Sequence, residues 1–262
     1  MLFRSTYIPS LGLFFIGVVY LFRQKASAGW RGVLLSVLAG LYFIGSLKAV
    51  PNWKNSETLF SHALEVYPES GLAHLNLGLY YRVNQEPDRA LEVYSKGIGY
   101  QSGYLQLYIN RSRIYLDRGM PDQALKDLNF FLSKNPNTTA ALVNRGVAYS
   151  MKREWDKALV DFQQAEQADS NNTDLLSNRA LVYFSQANYK AAIPDLQRYL
   201  KITPDDHENI NQLGLAYLYT GEANRALAEM NKAVALHDVG IGYVFRSGPF
   251  RTWAFSYRDA QL

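Results

Sequence analysis

An alanine recurs every 34 residues through the middle of this chain: Ala90, Ala124, Ala158, Ala192 and Ala226. In phase with it run Gly78, Ser112, Gly146, Ala180 and Gly214, all small, and Tyr81, Tyr115, Tyr149, Tyr183 and Tyr217. Three columns kept over five units imply a stacked repeat array, in which each unit buries its apolar face only against its neighbours. That constrains the fold more than length does, since 262 residues could otherwise form one large or two small domains.

Each unit reads as two helices. Ala141, Val143, Val147 and Ala148 alternate with polar residues at helical spacing, as do Leu159, Phe162 and Ala165. Gly119 and Gly221 stand where the first helix must end, and Pro136 and Pro204 stand at unit boundaries, where proline stops a helix. The small column sits where the two helices must cross closely, and the tyrosine is expected to fill the space beside it.

Gly146, Tyr149, Ala158, Phe162 and Ala165 resemble the tetratricopeptide repeat (TPR) pattern of glycine, tyrosine, alanine, aromatic and alanine. The resemblance implies an all-α TPR solenoid, a right-handed superhelix of helix-turn-helix repeats. Units are expected at 71–104, 105–138, 139–172, 173–206 and 207–238. Leu59, Phe60, Ala63 and Pro68 match a second helix in the same phase, a half unit over 53–70.

Comparison among the units shows a correlated pair of positions. Where the first helix carries Arg111, Arg145 or Arg179, the second carries Asp127, Asp161 or Asp195, 16 residues on; the other units have Leu77 with Val93 and Leu213 with Glu229. This predicts three bidentate ion pairs joining helix to helix.

Residues 7–22 and 33–47 contain no charged residue, and the second apolar run continues past Lys48 to Val50. Each is close to the ~20 residues that span a bilayer, and Tyr7, Trp30 and Trp53 stand at the ends, where aromatic belts form. Two transmembrane helices, about 7–22 and 33–50, are expected within 1–52. Pro9 and the lack of a small-residue cleavage site argue against a signal peptide. Arg23, Lys25 and Arg31 favour the cytoplasm for the short loop, with the array then expected on the periplasmic or lumenal side, against Arg4, Lys48 and Lys54 at the other ends of the spans.

Arg4, Tyr7, Pro9, Ser10 and Gly12, followed by two spans and the repeats, are similar to a junction in TMTC-like protein O-mannosyltransferases and their bacterial relatives. The resemblance implies the acceptor-binding tail of a polyprenyl-phosphate-dependent glycosyltransferase, or a scaffold derived from one. The acidic first loop on which that family's catalysis depends has no counterpart here. Asp205-Asp206, the only paired acidic dipeptide, reads as a helix start. The chain is therefore expected to be non-catalytic by itself.

Asn76, Asn110, Asn144 and Asn178 share one phase of the first helix, with Gln212 in the fifth unit. This resembles the asparagine ladder inside the TPR superhelix of O-linked N-acetylglucosamine transferases, which implies that side-chain amides hold the backbone of an extended peptide on the concave face. The other reading leaves these asparagines in contact with neighbouring helices or water. A basic carboxylate clamp is not expected: the comparable positions are Leu79, Arg113, Val147, Leu181 and Leu215, of which only Arg113 is basic.

Residues 239–262 leave the repeat. Tyr243, Phe245, Phe250, Trp253, Phe255 and Tyr257 are interleaved with Arg246, Arg251 and Arg258. This segment could cover the last helix, dock on a partner through aromatic and arginine anchors, or touch lipid. Net charge is +4 with no run of five like charges, so nucleic acid is not an expected partner. The chain has no cysteine, and His62, His74, His207 and His237 lack metal-ligand spacing, so no metal or cofactor is expected. The partners expected are a protein or peptide in the groove, membrane lipid around 7–50, and, in a third reading, the other subunits of a larger membrane complex.

Overall fold

The computed structural model of the chain describes residues 54–100 and 103–239, with Val37, Gly40 and Leu41 as isolated helical positions. The chain divides into two compact units, up to Pro68 and from Glu69 onward. Among the described residues no helix is long and apolar enough to cross a membrane. The proposed spans 7–22 and 33–50 lie outside them, apart from those three positions, and the tail residues Arg246, Phe250, Arg251, Trp253, Phe255 and Tyr257 lie wholly outside.

In the body up to Pro68, α1 (Ser56–Val66) begins at Asn55, whose side chain accepts from the Thr58 N–H while Thr58 reaches back, a capping box. The body from Glu69 comprises α2 (Gly71–Val83), α3 (Pro87–Gly99), α4 (Gln106–Asp117), α5 (Pro121–Lys134), α6 (Thr139–Met151), α7 (Trp155–Ala168), α8 (Thr173–Ser185), α9 (Tyr189–Ile202), α10 (His207–Tyr219) and α11 (Ala223–Val239). Even-numbered helices open each 34-residue unit and odd-numbered ones close it. Asp206 caps α10, accepting from the Asn209 N–H at 3.1 Å and the Tyr199 hydroxyl at 2.7 Å. The Asp205-Asp206 dipeptide is thus the helix start its position suggests.

Paired helices run antiparallel: Gly78 on α2 faces Tyr94 on α3, while His74, one turn earlier, faces Gly97, one turn later. Every turn between them places one residue at positive φ, in a single column: Gln85 at 62°, Gly119 at 70°, Arg153 at 61°, Ala187 at 55° and Gly221 at 85°. Glycine fills two of the five, where the left-handed conformation carries no Cβ penalty.

The side chains nearest the glycines of the small column belong to the facing helix. A Cβ at Gly78 would lie 2.1 Å from Tyr94 Cε1, one at Gly146 would lie 2.6 Å from Phe162 Cε1, and one at Gly214 2.8 Å from Met230 Cγ. Those partners stand 16 residues on, the spacing that also carries the arginine–aspartate pairs. Side-chain volume is matched across it: glycine faces Tyr, Phe or Met, whereas Ser112 and Ala180 have Leu128 and Leu196 in the same place. The tyrosine column instead lies beside the turn, eight residues before a cation in three units. Arg89 sits over Tyr81 at 3.9 Å, Lys157 over Tyr149 at 5.4 Å and Arg225 over Tyr217 at 5.6 Å.

All three ion pairs form with both ends engaged. Nε of Arg111, Arg145 and Arg179 lies 2.8, 2.8 and 2.7 Å from Asp127, Asp161 and Asp195, and the second nitrogen lies 2.7 Å from the other carboxylate oxygen each time. The aspartates are 2%, 2% and 3% exposed. Its bond to Asp161 raises the Arg145 pKa; at Arg179 burial opposes the charge, and the bonds it donates to Asp195 and Glu166 more than offset that. The remaining nitrogen reaches the preceding unit: Arg111 donates to Ser95 Oγ at 3.0 Å, Arg145 to Asn129 Oδ1 at 3.1 Å and Arg179 to Glu166 at 2.7 Å. Each arginine therefore joins three helices and fixes the register of one unit on the next.

Candidate functional site: the amide ladder of the first helices

The first helices touch one another from unit to unit, α2 with α4, α4 with α6 and α6 with α8. Residues in one phase of these helices thus form a row along the stack. Asn76, Asn110, Asn144, Asn178 and Gln212 occupy such a row, and all five are half-buried.

Their side chains are already partly committed. Asn76 Nδ2 donates to Leu72 O at 2.9 Å, Asn110 to Gln106 O at 2.9 Å and Asn178 to Asp174 O at 2.7 Å. An amide four residues beyond a helix carbonyl can make this bond without leaving the helix. It fixes the side-chain rotamer and leaves one N–H and Oδ1 outside the bond. The same three residues thus make helix contacts and keep a donor and an acceptor for a second partner. Gln212 departs from the pattern, because its Oε1 is buried without a hydrogen-bond partner among the described residues.

Arg113 is exposed one turn beyond Asn110, whereas Leu79, Val147, Leu181 and Leu215 in its column are half-buried. The row beside the amides is therefore mainly aliphatic with one cation. Residues not singled out from the sequence form an aromatic cluster where α8, α9 and α10 meet. Tyr189 stacks on Tyr219 at 4.4 Å and 20°, and Phe184 meets Tyr189 edge-on at 5.3 Å. Tyr219 is 61% exposed and its neighbour Leu218 50%. The signal was present as aromatics at successive first-helix ends.

An ion-pair network joins the third and fourth units. Glu166 on α7 accepts from Arg179 at 2.7 and 3.0 Å and from Arg198 at 2.6 Å, and Arg198 also reaches the Ser170 carbonyl. The Arg179 bonds, joined by those of Arg198, hold the Glu166 carboxyl down to about 2 against the burial that opposes its charge. In the first unit, burial pushes the Tyr94 hydroxyl up to about 12, with the nearby Arg82 charge opposing it. Burial likewise lowers the His74 pKa despite its contact with Ser70 O at 3.0 Å.

The tetratricopeptide repeat profile matches residues 52–102, 109–173 and 152–207, more than half of the chain. No curated protein matches the sequence. Among solved structures, MamA is 23% identical with a TM-score of 0.57, the match covering 64% of this chain and 98% of that one. A structure of MamA from Desulfovibrio magneticus RS-1 is 14% identical at a TM-score of 0.58, covering 64% and 96%. YrrB, described as a TPR protein with an unusual peptide-binding site, is 18% identical at 0.55, covering 68% and 92%. At these identities the likeness is one of fold. With a 34-residue period, paired antiparallel helices and the matched profile together, this chain belongs to the tetratricopeptide repeat family.

Proposed function

We propose that the chain is a membrane-tethered, non-catalytic TPR scaffold that holds an extended peptide, or an extended segment of a partner protein, along its first helices. The observation that carries this reading is the amide row. Asn76, Asn110 and Asn178 each keep a donor and an acceptor beyond the intrahelical bond, in one phase and at unit spacing. A peptide backbone offers the complementary pair at every residue, so such contacts tolerate varied sequence. The half-buried aliphatic column with exposed Arg113 supplies apolar contact beside them and favours a segment with an acidic residue near the second unit. YrrB, of similar fold, is described as having a peptide-binding site, which supports a peptide as the class of ligand.

Tethering rests on the uncharged stretches at 7–22 and 33–47. The charges Arg23, Lys25 and Arg31 favour the periplasmic or lumenal side for the array. The glycosyltransferase-tail reading rests on Arg4, Tyr7, Pro9, Ser10 and Gly12 alone, all outside the described residues, so the scaffold is preferred.

The test selects binders from a randomised linear peptide library against the full chain in mild detergent. It then compares the wild type with Asn110→Ala/Asn144→Ala/Asn178→Ala. Three amide contacts of about 1 kcal/mol each predict about 100-fold weaker binding. Unchanged affinity with intact helicity removes the ladder. Alkaline extraction that releases the full chain from membranes removes the tether.

A further inference from the structure

One core column of the first helices is aliphatic or aromatic in every unit but the first. Tyr108 is half-buried there, and Leu142, Leu176 and Ile210 are at most 1% exposed. One period earlier the column holds His74, 3% exposed, whereas His62 and His207 are exposed. The packing around His74 is tight. A Cβ at Gly97 on α3 would lie 2.7 Å from His74 Cβ and 2.9 Å from Leu107 Cδ1 on α4, so three helices meet at this side chain. The Tyr100 ring lies against it at 5.7 Å and 45°.

Nδ1 lies 3.0 Å from the Ser70 carbonyl, which can only accept, so Nδ1 carries the hydrogen and a second proton must add at Nε2. The charge acting on the ring is the Lys96 ammonium on α3, itself paired with Glu92 at 2.7 Å. Tyr100 closes that side, α4 offers Leu107, and the chain just before α2 offers the Ser70 carbonyl. No carboxylate among the described residues pairs with the ring. We propose that His74 makes the first unit a pH-sensitive end of the stack: below neutrality its protonation opens α2, and the groove loses its first rung. Asn76 stands two residues on, and its bond to Leu72 O at 2.9 Å spans the same turn, so α2 cannot shift without moving the amide. The effect on a bound peptide rests on the amide-row reading above; the opening of α2 does not.

Desolvation lowers the His74 pKa below its ordinary 6.5, outweighing the Ser70 contact that raises it, and Lys96 acts in the same direction as burial. The stability contributed by the neutral ring is therefore whole above 6.5 and is lost as pH falls from there toward the lowered value. Opening takes up one proton in that window, which multiplies the opening constant by up to about ten-fold per pH unit. The other units, with tyrosine, leucine or isoleucine in the column, carry no such group.

Amide hydrogen exchange of the full chain in mild detergent, corrected for the intrinsic rate at each pH, reads the opening helix by helix. Between about pH 7.5 and about pH 5.5 the protection of α2 should fall several-fold, with about ten-fold as the ceiling, while that of α6 and α8 holds. His74→Leu gives the first unit the residue that Leu142 and Leu176 supply to later ones, and should make α2 as indifferent to pH as α6. His74→Phe, an aromatic as Tyr108 is, should do the same. A peptide selected from the library should lose affinity by a similar factor at the lower pH with the wild type and keep it with His74→Leu. Protection of α2 that stays constant, that falls equally in wild type and variants, or that falls alike in every unit overturns the proposal. Peptide affinity unchanged by pH while α2 opens overturns the link to the groove. A library that yields no binder counts against the amide row alone, and the exchange profile still decides the switch.

Discussion

Arg145→Leu should cost far more alone than when Asp161→Val accompanies it. Asp161 is 2% exposed, and both its oxygens are taken by Arg145, at 2.8 and 2.7 Å. Removing the guanidinium strands a carboxylate where water cannot reach it, and breaking a buried pair in this way costs about 3–5 kcal/mol. The bond from Arg145 to Asn129 Oδ1 at 3.1 Å is lost too, but Asn129 is exposed and water replaces it at little cost. The first unit shows what the double variant should look like. There Leu77, 5% exposed, stands in the arginine's place and half-buried Val93 in the aspartate's. Two apolar side chains of similar volume are therefore compatible with this crossing, and the double substitution should cost under about 1.5 kcal/mol. The coupling energy is then about 2–4 kcal/mol. Urea unfolding followed by far-UV circular dichroism measures it, with the midpoint separated from the slope. Coupling below about 0.5 kcal/mol would refute the reasoning, because the pair would then be acting as an exposed one.

Three further outcomes follow from other contacts. Gly146→Ala should destabilise by about 1–2 kcal/mol net, since a methyl 2.6 Å from the buried Phe162 ring outweighs the gain in helix propensity, and Gly78→Ala, 2.1 Å from Tyr94, should be worse; a neutral result in thermal melts would contradict the packing. Ala187→Gly relieves a φ of 55° and should raise stability by about 0.5–1 kcal/mol, while Gly221→Ala at φ 85° should lower it; the reverse order in Tm would show that the turn conformation is misassigned. Glu166, held down to about 2, contributes stability that is whole above the ordinary carboxyl value of 4.5 and is lost as pH falls through about 2. The Tm advantage of wild type over Glu166→Gln should therefore shrink across that window, and a constant difference would show that the carboxylate charge does not matter.

The architecture was legible because the repeat supplies its own internal comparison. Five copies of one unit exposed the arginine–aspartate pairing without any contact being known, and each pair forms bidentate bonds. The same 16-residue spacing also joins Gly78 to Tyr94 and Gly146 to Phe162, so a partner of the small column on the facing helix was readable alongside the tyrosine column. That column is regular because it works beside the turn. The third contact of Arg179 was not legible. Its sequence counterpart of Asn129 is Gln163, but the guanidinium takes Glu166, since a carboxylate one turn on outcompetes a neutral amide. The intrahelical bonds of Asn76, Asn110 and Asn178 were hidden for a related reason: an asparagine on a helix can turn to its own backbone or away from it, and spacing alone is the same in both cases.

The claim on which the function depends is that the amide row grips backbone rather than side chains. The direct measurement is a paired scan of one bound peptide, replacing each side chain by alanine in one series and methylating each backbone nitrogen in the other, with affinity read by titration calorimetry. The account predicts that alanine replacement is tolerated at most positions, while N-methylation at unit spacing weakens binding about five-fold per site, roughly one lost hydrogen bond each. Binding that survives methylation throughout but collapses when one or two side chains are removed would contradict it.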